Sequence, residues 1–190
     1  MTKKIVRVGL LGGAFDPPHK GHLEVSKAAL KADKVDTVWF LPCWQHAFGK
    51  KPEAFHHRAI MSYFTVMNEE NITVNTVEAD LMTTYSIDIL EYIQKLYEDS
   101  SFRLIMGTDN YWKMDKWKNK DKVLKIAPPI WVDRPHIKRI EDNFITCKNK
   151  TSSTKIRELL KQKRTKTKLK EMLVPKVLDY IKEHKLYGVE

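Results

Sequence analysis

The sequence predicts an α/β fold: a single domain built on a doubly wound, mainly parallel sheet with helices on both faces. Three observations predict it. Short apolar runs of strand length recur along the chain, segments of helical spacing separate them, and no internal repeat or low-complexity linker breaks the series. Strands alternating with helices form βαβ units, and such units give a parallel sheet covered on both sides. A length of 190 residues suits one good core of this kind.

Each element has its own warrant. Ile5–Leu11 is a short apolar run closed by Gly12-Gly13, hence a buried first strand. From Gly21 the residues Leu23, Ser26-Lys27 and Ala29-Leu30 suit a helix with an alanine-rich inner face. Thr37–Leu41 is a second buried strand, stopped by Pro42. Helical spacing returns over Glu53–Met67 through Phe55, Ala59, Ile60 and Tyr63-Phe64. Ile72–Val77 alternates apolar and polar positions, as a half-exposed strand would. Ser86 opens a helix through Ile87, Leu90, Ile93 and Leu96-Tyr97. Phe102–Met106 is a fourth strand, with shorter candidates at Ile130–Val132 and Asn143–Cys147. Helices over Thr154–Lys163 and Pro175–Lys182 close the chain, and Pro175 suits a first helical position. Mobility is one reading of the Lys-rich stretch Lys161–Lys170, which helices flank. The arrangement is Rossmann-like, and sheets of this type bind ligands beyond the carboxyl ends of their strands. The loops after Leu11, Leu41, Met106 and Val132 are therefore where chemistry is expected.

Composition removes several function classes. Apolar and charged residues make up 42% and 31% of the chain, ordinary for a globular protein. No apolar run approaches the roughly 18–20 residues of a bilayer span, so no membrane association is expected. The opening Met1–Leu11 superficially resembles a signal peptide, but Arg7 interrupts it and Gly12–Asp16 reads as a turn without a cleavage site. Cys43 and Cys147 lack a CxxC partner and read as buried or incidental thiols, which implies a reducing, cytoplasmic home. The net charge of +10 fits nucleic acid, an anionic surface or a substrate carrying several phosphates, and much of it lies between Lys148 and Lys170. A solvated helical face explains that run equally well.

The segment after the first strand, GGAFDPPHKGH (Gly12–His22), carries the most chemistry. Two glycines permit a tight turn and let a phosphate approach bare backbone. Asp16-Pro17-Pro18 fixes the chain direction, because proline sets its own φ and restricts its predecessor. His19 and His22 are three apart, so a helix starting near His19 places both imidazoles on one side of its first turn. Exposed N–H groups and the positive end of the helix dipole lie there too, making a site for a phosphate chain. Spacing of i,i+3 without carboxylate or thiol neighbours is a weak metal signal, and no metal site is expected. Neither GxxxxGK[ST] nor GxGxxG is present.

These eleven residues resemble the GG[ST]FDPxHxGH signature of nicotinate (or nicotinamide) mononucleotide adenylyltransferases, within the HxGH nucleotidyltransferase superfamily. Ala14 departs from the usual Ser or Thr, which removes a hydroxyl and leaves only backbone to meet a phosphate. The resemblance implies ATP contacts at Gly12, Gly13, Ala14, Phe15, His19 and His22, with His19 and His22 catalytic.

Later segments agree in order. Thr151–Arg157 (TSSTKIR) resembles the family's [IT]SSTxIR. Ser and Thr are good N-caps, hydroxyls beside helix-start N–H groups can hold phosphate oxygens, and an arginine one turn in can add a bidentate contact. Similarity to the family implies Ser152, Ser153 and Arg157 as triphosphate contacts. Gly107-Thr108-Asp109, with Trp117 beyond, resembles the family's GxD…W arrangement, in which the acid lies near the nucleotides and the tryptophan stacks on the pyridine ring. Trp112 competes for the stacking role; Trp117 is preferred. Thr83–Asp88 resembles TSYTxD, implying that Thr84 and Tyr85 meet the mononucleotide mainly through backbone. His46 and Lys50 follow the second strand where the family has a loop ending in His-Lys, and are carried over loosely as phosphate contacts; Arg58 is a weaker candidate. Val174–Gly188 resembles the family's ending, an agreement read as structural.

Residues 1–190 are expected to form one nucleotidyltransferase domain, whose helical part from about 151 to 190 carries the SSTKIR segment. The implied reaction moves AMP from ATP to nicotinate or nicotinamide mononucleotide, with Mg²⁺ arriving on the nucleotide. Rival readings are a phosphopantetheine or cytidylyl-type relative and, from another class, a basic nucleic-acid-binding protein. The first usually carries Thr where His19 stands, and the second lacks interleaved aromatics or a reading motif. A homo-oligomer is left open.

Overall fold

The computed structural model describes residues 4–45, 51–133, 144–147, 149, 151–162 and 166–189. Along the chain run β1 (Val6–Gly13), α1 (Lys20–Lys31), β2 (Thr37–Pro42), α2 (Phe55–Val66), β3 (Ile72–Val74), α3 (Val77–Leu81) and α4 (Ser86–Leu96). They are followed by β4 (Ser100–Gly107), a 3₁₀ stretch (Thr108–Lys116), α5 (Lys120–Ile126), β5 (Pro129–Asp133) and β6 (Phe144–Thr146). Last come α6 (Ser153–Leu160), α7 (Lys166–Met172), α8 (Pro175–Glu183) and a 3₁₀ turn at Leu186–Gly188.

The described strands form one sheet of order β3-β2-β1-β4-β5-β6, parallel at every pairing. The order reverses between β1 and β4, so connections on either side leave in opposite directions and a crevice opens beyond the strands' carboxyl ends. Alternation within each strand feeds two cores. Val8, Leu10, Leu104, Met106 and Trp131 face one side, packed with Ile87, Leu90 and Ile93 of α4 and Val123 of α5. Leu11, Val38, Phe40, Ile105, Ile130 and Val132 face the other, against Leu23 and Ala29 of α1 and Val66 of α2. Strands buried on both faces have to be apolar at consecutive positions, which is why the buried middles of β1, β2 and β4 (Val8–Leu11, Val38–Leu41 and Leu104–Met106) read as apolar runs.

A third cluster lies away from the sheet. Met61 of α2 meets Ile156 of α6, Leu169 and Met172 of α7, and Val177, Leu178 and Ile181 of α8. It fastens the C-terminal helices to α2 and so fixes where α6 begins.

Three expectations need correction. Ile72–Val77 is strand only as far as Val74; Asn75 Oδ1 then accepts the Val77 N–H at 3.0 Å, a turn that ends the strand and starts α3. The Lys-rich stretch contains the start of α7, because Leu169 and Met172 supply a helical apolar face among the lysines. The helix expected over Thr154–Lys163 starts at Ser153 and ends at Leu160.

Candidate active site

β1 delivers Gly12 and Gly13 to the crevice, and the next residues fold back onto the protein. Phe15 (φ 48°) turns its ring inward, stacked on Phe40 at 4.8 Å and edge-on to His22 at 4.8 Å. At 2% exposure its side chain cannot meet a ligand, so the expected Phe15 contact reduces to backbone. The ring instead supports His22 from behind.

His19 is the N-cap residue of α1 and His22 lies in its first turn. The backbone N–H of His19 donates to His22 Nδ1 at 3.1 Å, and the two rings stack with centroids 3.7 Å apart. A neutral imidazole accepting at Nδ1 carries its proton on Nε2, so His22 is held in the tautomer that donates from Nε2. Gly21 is required between them: a Cβ there would lie 2.9 Å from His19 Nδ1 and 3.3 Å from Asn149 Oδ1. Both histidines line the cleft.

The second helix start comes to the same place. Ser152 caps α6, its hydroxyl accepting the Lys155 N–H at 3.3 Å. Ser153 Oγ donates to the Pro17 carbonyl at 2.8 Å. Asn149 ties this approach to α1: its amide donates to Glu24 Oε1 at 2.6 Å while its Oδ1 accepts the Thr151 N–H at 2.8 Å. Arg157 departs from expectation. Its guanidinium donates to the Asp16 carbonyl at 2.6 Å and stands 3.7 Å from Asp16 Oδ2, so it joins the two segments and does not line the cleft.

The cleft measures about 800 Å³, and its lining includes Gly12, Gly13, Ala14, His19, His22, Ser152 and Ser153. That is near the top of the roughly 300–1,000 Å³ typical of small-molecule sites. Cys43, Gln45, Glu78, Thr84, Ser86, Gly107, Asn110 and Trp117 line the cleft as well. Thr84, Gly107 and Trp117 are thus brought to the same cleft as the two histidines. Tyr85 is not: its ring is exposed and sits under Lys118 Nζ at 4.5 Å, leaving only its backbone near the site. His46 and Lys50 lie outside the described residues, and the side chains of Asp109 and Trp112 are likewise not described.

Two residues were missed or misjudged from sequence. Arg58, a candidate phosphate contact, is 1% exposed and spends its donors on backbone: Glu53 O at 2.8 Å, Ala14 O at 2.7 Å, Cys43 O at 2.8 Å and Trp44 O at 3.3 Å. It staples the glycine turn after β1 to the end of β2. Its position on the inner face of α2, with Met61 and Ser62, was the available signal. Glu78 was hidden by the strand reading of Ile72–Val77. Its carboxylate accepts the Trp44 N–H at 3.0 Å, and burial pushes it up to about 7, against smaller opposing effects of that bond and the Arg58 charge. Burial also raises the Cys43 thiol, so the cleft holds no ready thiolate there.

Among the described residues no group of three or more His, Cys, Asp or Glu could hold a metal ion, and no helix is long and apolar enough to cross a membrane.

Comparison with known proteins agrees with this geometry. Residues 10–159 match the cytidylyltransferase-like family model. A probable nicotinate-nucleotide adenylyltransferase of Ruegeria sp. (strain TM1040) is 36% identical over 128 residues, 67% of this chain and 68% of that protein. Another, of Bacillus anthracis, is 31% identical over 188 residues, 95% of this chain and 98% of its own length. In fold, the chain is similar to Plasmodium falciparum nicotinic acid mononucleotide adenylyltransferase complexed with NaAD, at a TM-score of 0.83 and 22% identity, covering 97% and 98% of the two chains. A doubly wound sheet, two helix starts meeting at its switch point, and relatives alike over nearly the whole length lead to one conclusion: the chain belongs to the cytidylyltransferase-like family and, within it, to the nicotinate-nucleotide adenylyltransferases.

Proposed function

We propose that the chain transfers the AMP part of ATP to nicotinate mononucleotide, giving the dinucleotide and pyrophosphate as a step of NAD biosynthesis. The observation that carries the reading is the convergence of two helix starts on one cleft. The His19–His22 turn of α1 and the Ser152-Ser153 cap of α6 are bound together through Ser153 and Pro17, beside bare backbone at Gly12 and Gly13.

The chemistry needs no covalent intermediate on the protein. The mononucleotide phosphate attacks the α-phosphorus of ATP, and pyrophosphate leaves in line. Two polyanions must be held close despite their repulsion, and charge grows on the α-phosphate and the leaving group. His22, donating from Nε2, and His19 beside it are assigned to that charge. Gly12, Gly13 and Ala14 offer backbone to the triphosphate, and Ser152 and Ser153 hold its far end at the start of α6. Arg157 acts chiefly as the tie between these segments. Mg²⁺ enters as part of the ATP substrate, its ligands being phosphate oxygens.

Elsewhere along the cleft, Trp117 supplies a flat face for the pyridine ring, while Thr84, Tyr85 and Gly107 offer backbone to its substituent. A cationic ring stacked on indole gains about 1–2 kcal/mol when desolvated. Asp109, His46 and Lys50 are proposed mononucleotide contacts on family resemblance alone.

The test is pyrophosphate release from the purified protein with ATP and either nicotinate mononucleotide, nicotinamide mononucleotide or neither. Release is expected with the first and weaker or absent with the second. Release that ignores the mononucleotide contradicts the reading.

A further inference from the structure

The C-terminal turn reaches back to the phosphate-facing segment. Tyr187 is 9% exposed, and its hydroxyl donates to Asp16 Oδ1 at 2.9 Å. The same oxygen accepts the Glu53 N–H at 3.2 Å, and Glu53 Oε1 accepts the Tyr187 N–H at 3.4 Å. On its other side Asp16 offers Arg157 its carbonyl at 2.6 Å, with Oδ2 at 3.7 Å. Asp16 is therefore the meeting point of the approach to α2, the first turns of α6 and the end of the chain, three residues before His19.

Tyr187 holds φ 60° and ψ 23°, the left-handed region that a bulky aromatic seldom adopts. Filling the C-terminal cluster would require only a ring. Lys185 (φ 51°) and Gly188 (φ 77°) share this left-handed turn, which leaves the ring in the C-terminal cluster and its hydroxyl on Asp16.

We propose that Tyr187 is a positioning residue for the reaction: acting through Asp16, which Arg157 ties to α6, it sets the Asp16–His19 segment against the triphosphate half of the cleft. The inference rests on the adenylyl-transfer reading above. Held by Tyr187 and Glu53 at one oxygen, the carboxylate turns its other oxygen toward Arg157. Without the hydroxyl, this anion is less constrained beside a site that has to receive a polyanion.

The test starts from Tyr187→Phe, which keeps the ring and deletes one donor. KM for ATP is expected to rise about tenfold, with KM for nicotinate mononucleotide unchanged within about twofold and the urea midpoint near that of the wild type. Calorimetric affinity for a non-hydrolysable ATP analogue should fall by the same factor. Asp16→Asn, which keeps an acceptor for the tyrosine and removes the charge facing Arg157, should weaken ATP similarly, and the double variant should be little worse than either single. An unchanged ATP KM, equal rises in both KM values, or fully additive effects would overturn the proposal. Should Tyr187→Phe not fold, ATP affinity of Asp16→Asn decides: loss supports the proposal and wild-type affinity overturns it. If the wild type itself releases no pyrophosphate, the adenylyl-transfer reading fails on its own, and the calorimetry still decides the role of Tyr187.

Discussion

His22 is constrained from three directions: its Nδ1 takes the His19 N–H, Phe15 meets it edge-on, and the His19 ring stacks on it at 3.7 Å. A side chain held this firmly presents its donor without reorganising when charge develops, and losing one such donor costs about 10²–10³ in rate. His22→Ala is therefore expected to lose at least that much turnover while keeping its circular dichroism spectrum; near-normal activity would remove His22 from the mechanism. Glu78 makes a separate prediction. Its carboxyl lies at about 7 in the folded protein, above the ordinary 4.5, because burial disfavours the anion. A raised folded value means that the folded state holds this proton more tightly than the unfolded chain does. The resulting stabilisation is complete below about 4.5 and is lost as pH rises through about 7. Glu78→Gln should flatten that part of the stability-against-pH curve, measured by urea unfolding at several pH values; an unchanged curve would show that Glu78 is not the group responsible.

At the scale of elements, α2 does more than cover the sheet, since it carries Arg58 into the space between the phosphate-facing turn and the end of β2. Arg58→Ala would leave the carbonyls of Ala14, Cys43 and Glu53 without that donor in a buried place. A loss of about 3 kcal/mol is expected, lowering the melting midpoint by roughly 6–12 °C; calorimetry showing no change would refute the staple. The elements that sequence made plain were those whose pattern has a single physical meaning. The central residues of β1, β2 and β4 are buried on both faces and had to be mostly apolar, although Arg7 and Arg103 stand near the starts of β1 and β4, and α4 has one apolar stripe. Those it hid had competing signals. Ile72–Val77 alternates like a strand, yet the Asn75 side chain ends it with a turn. α7 conceals Leu169 and Met172 among lysines, and α5 follows Asn119 at φ 52°, a conformation that no periodicity announces.

For the molecule as a whole, the sheet order explains why a motif near the start and another about 140 residues later share one cleft. Reversal between β1 and β4 opens the crevice, and the third cluster brings α6 across to it. The segments Gly12–His22 and Thr151–Arg157 stood out because glycines, paired histidines and capping hydroxyls have few other uses together, and the structure brings residues of both to one cleft. Their mutual bonding was not legible, since Arg157 on Asp16 and Tyr187 on Asp16 depend on how the last helices pack. If this shared cleft transfers the adenylyl group, the fate of each ATP phosphate is fixed. Supplying ATP labelled at the α-phosphate or, separately, at the γ-phosphate, together with nicotinate mononucleotide, tests it directly. The α label should appear in the dinucleotide and the γ label in pyrophosphate, in equal amounts. Finding the γ label on the mononucleotide, or the α label only in free AMP, would contradict it.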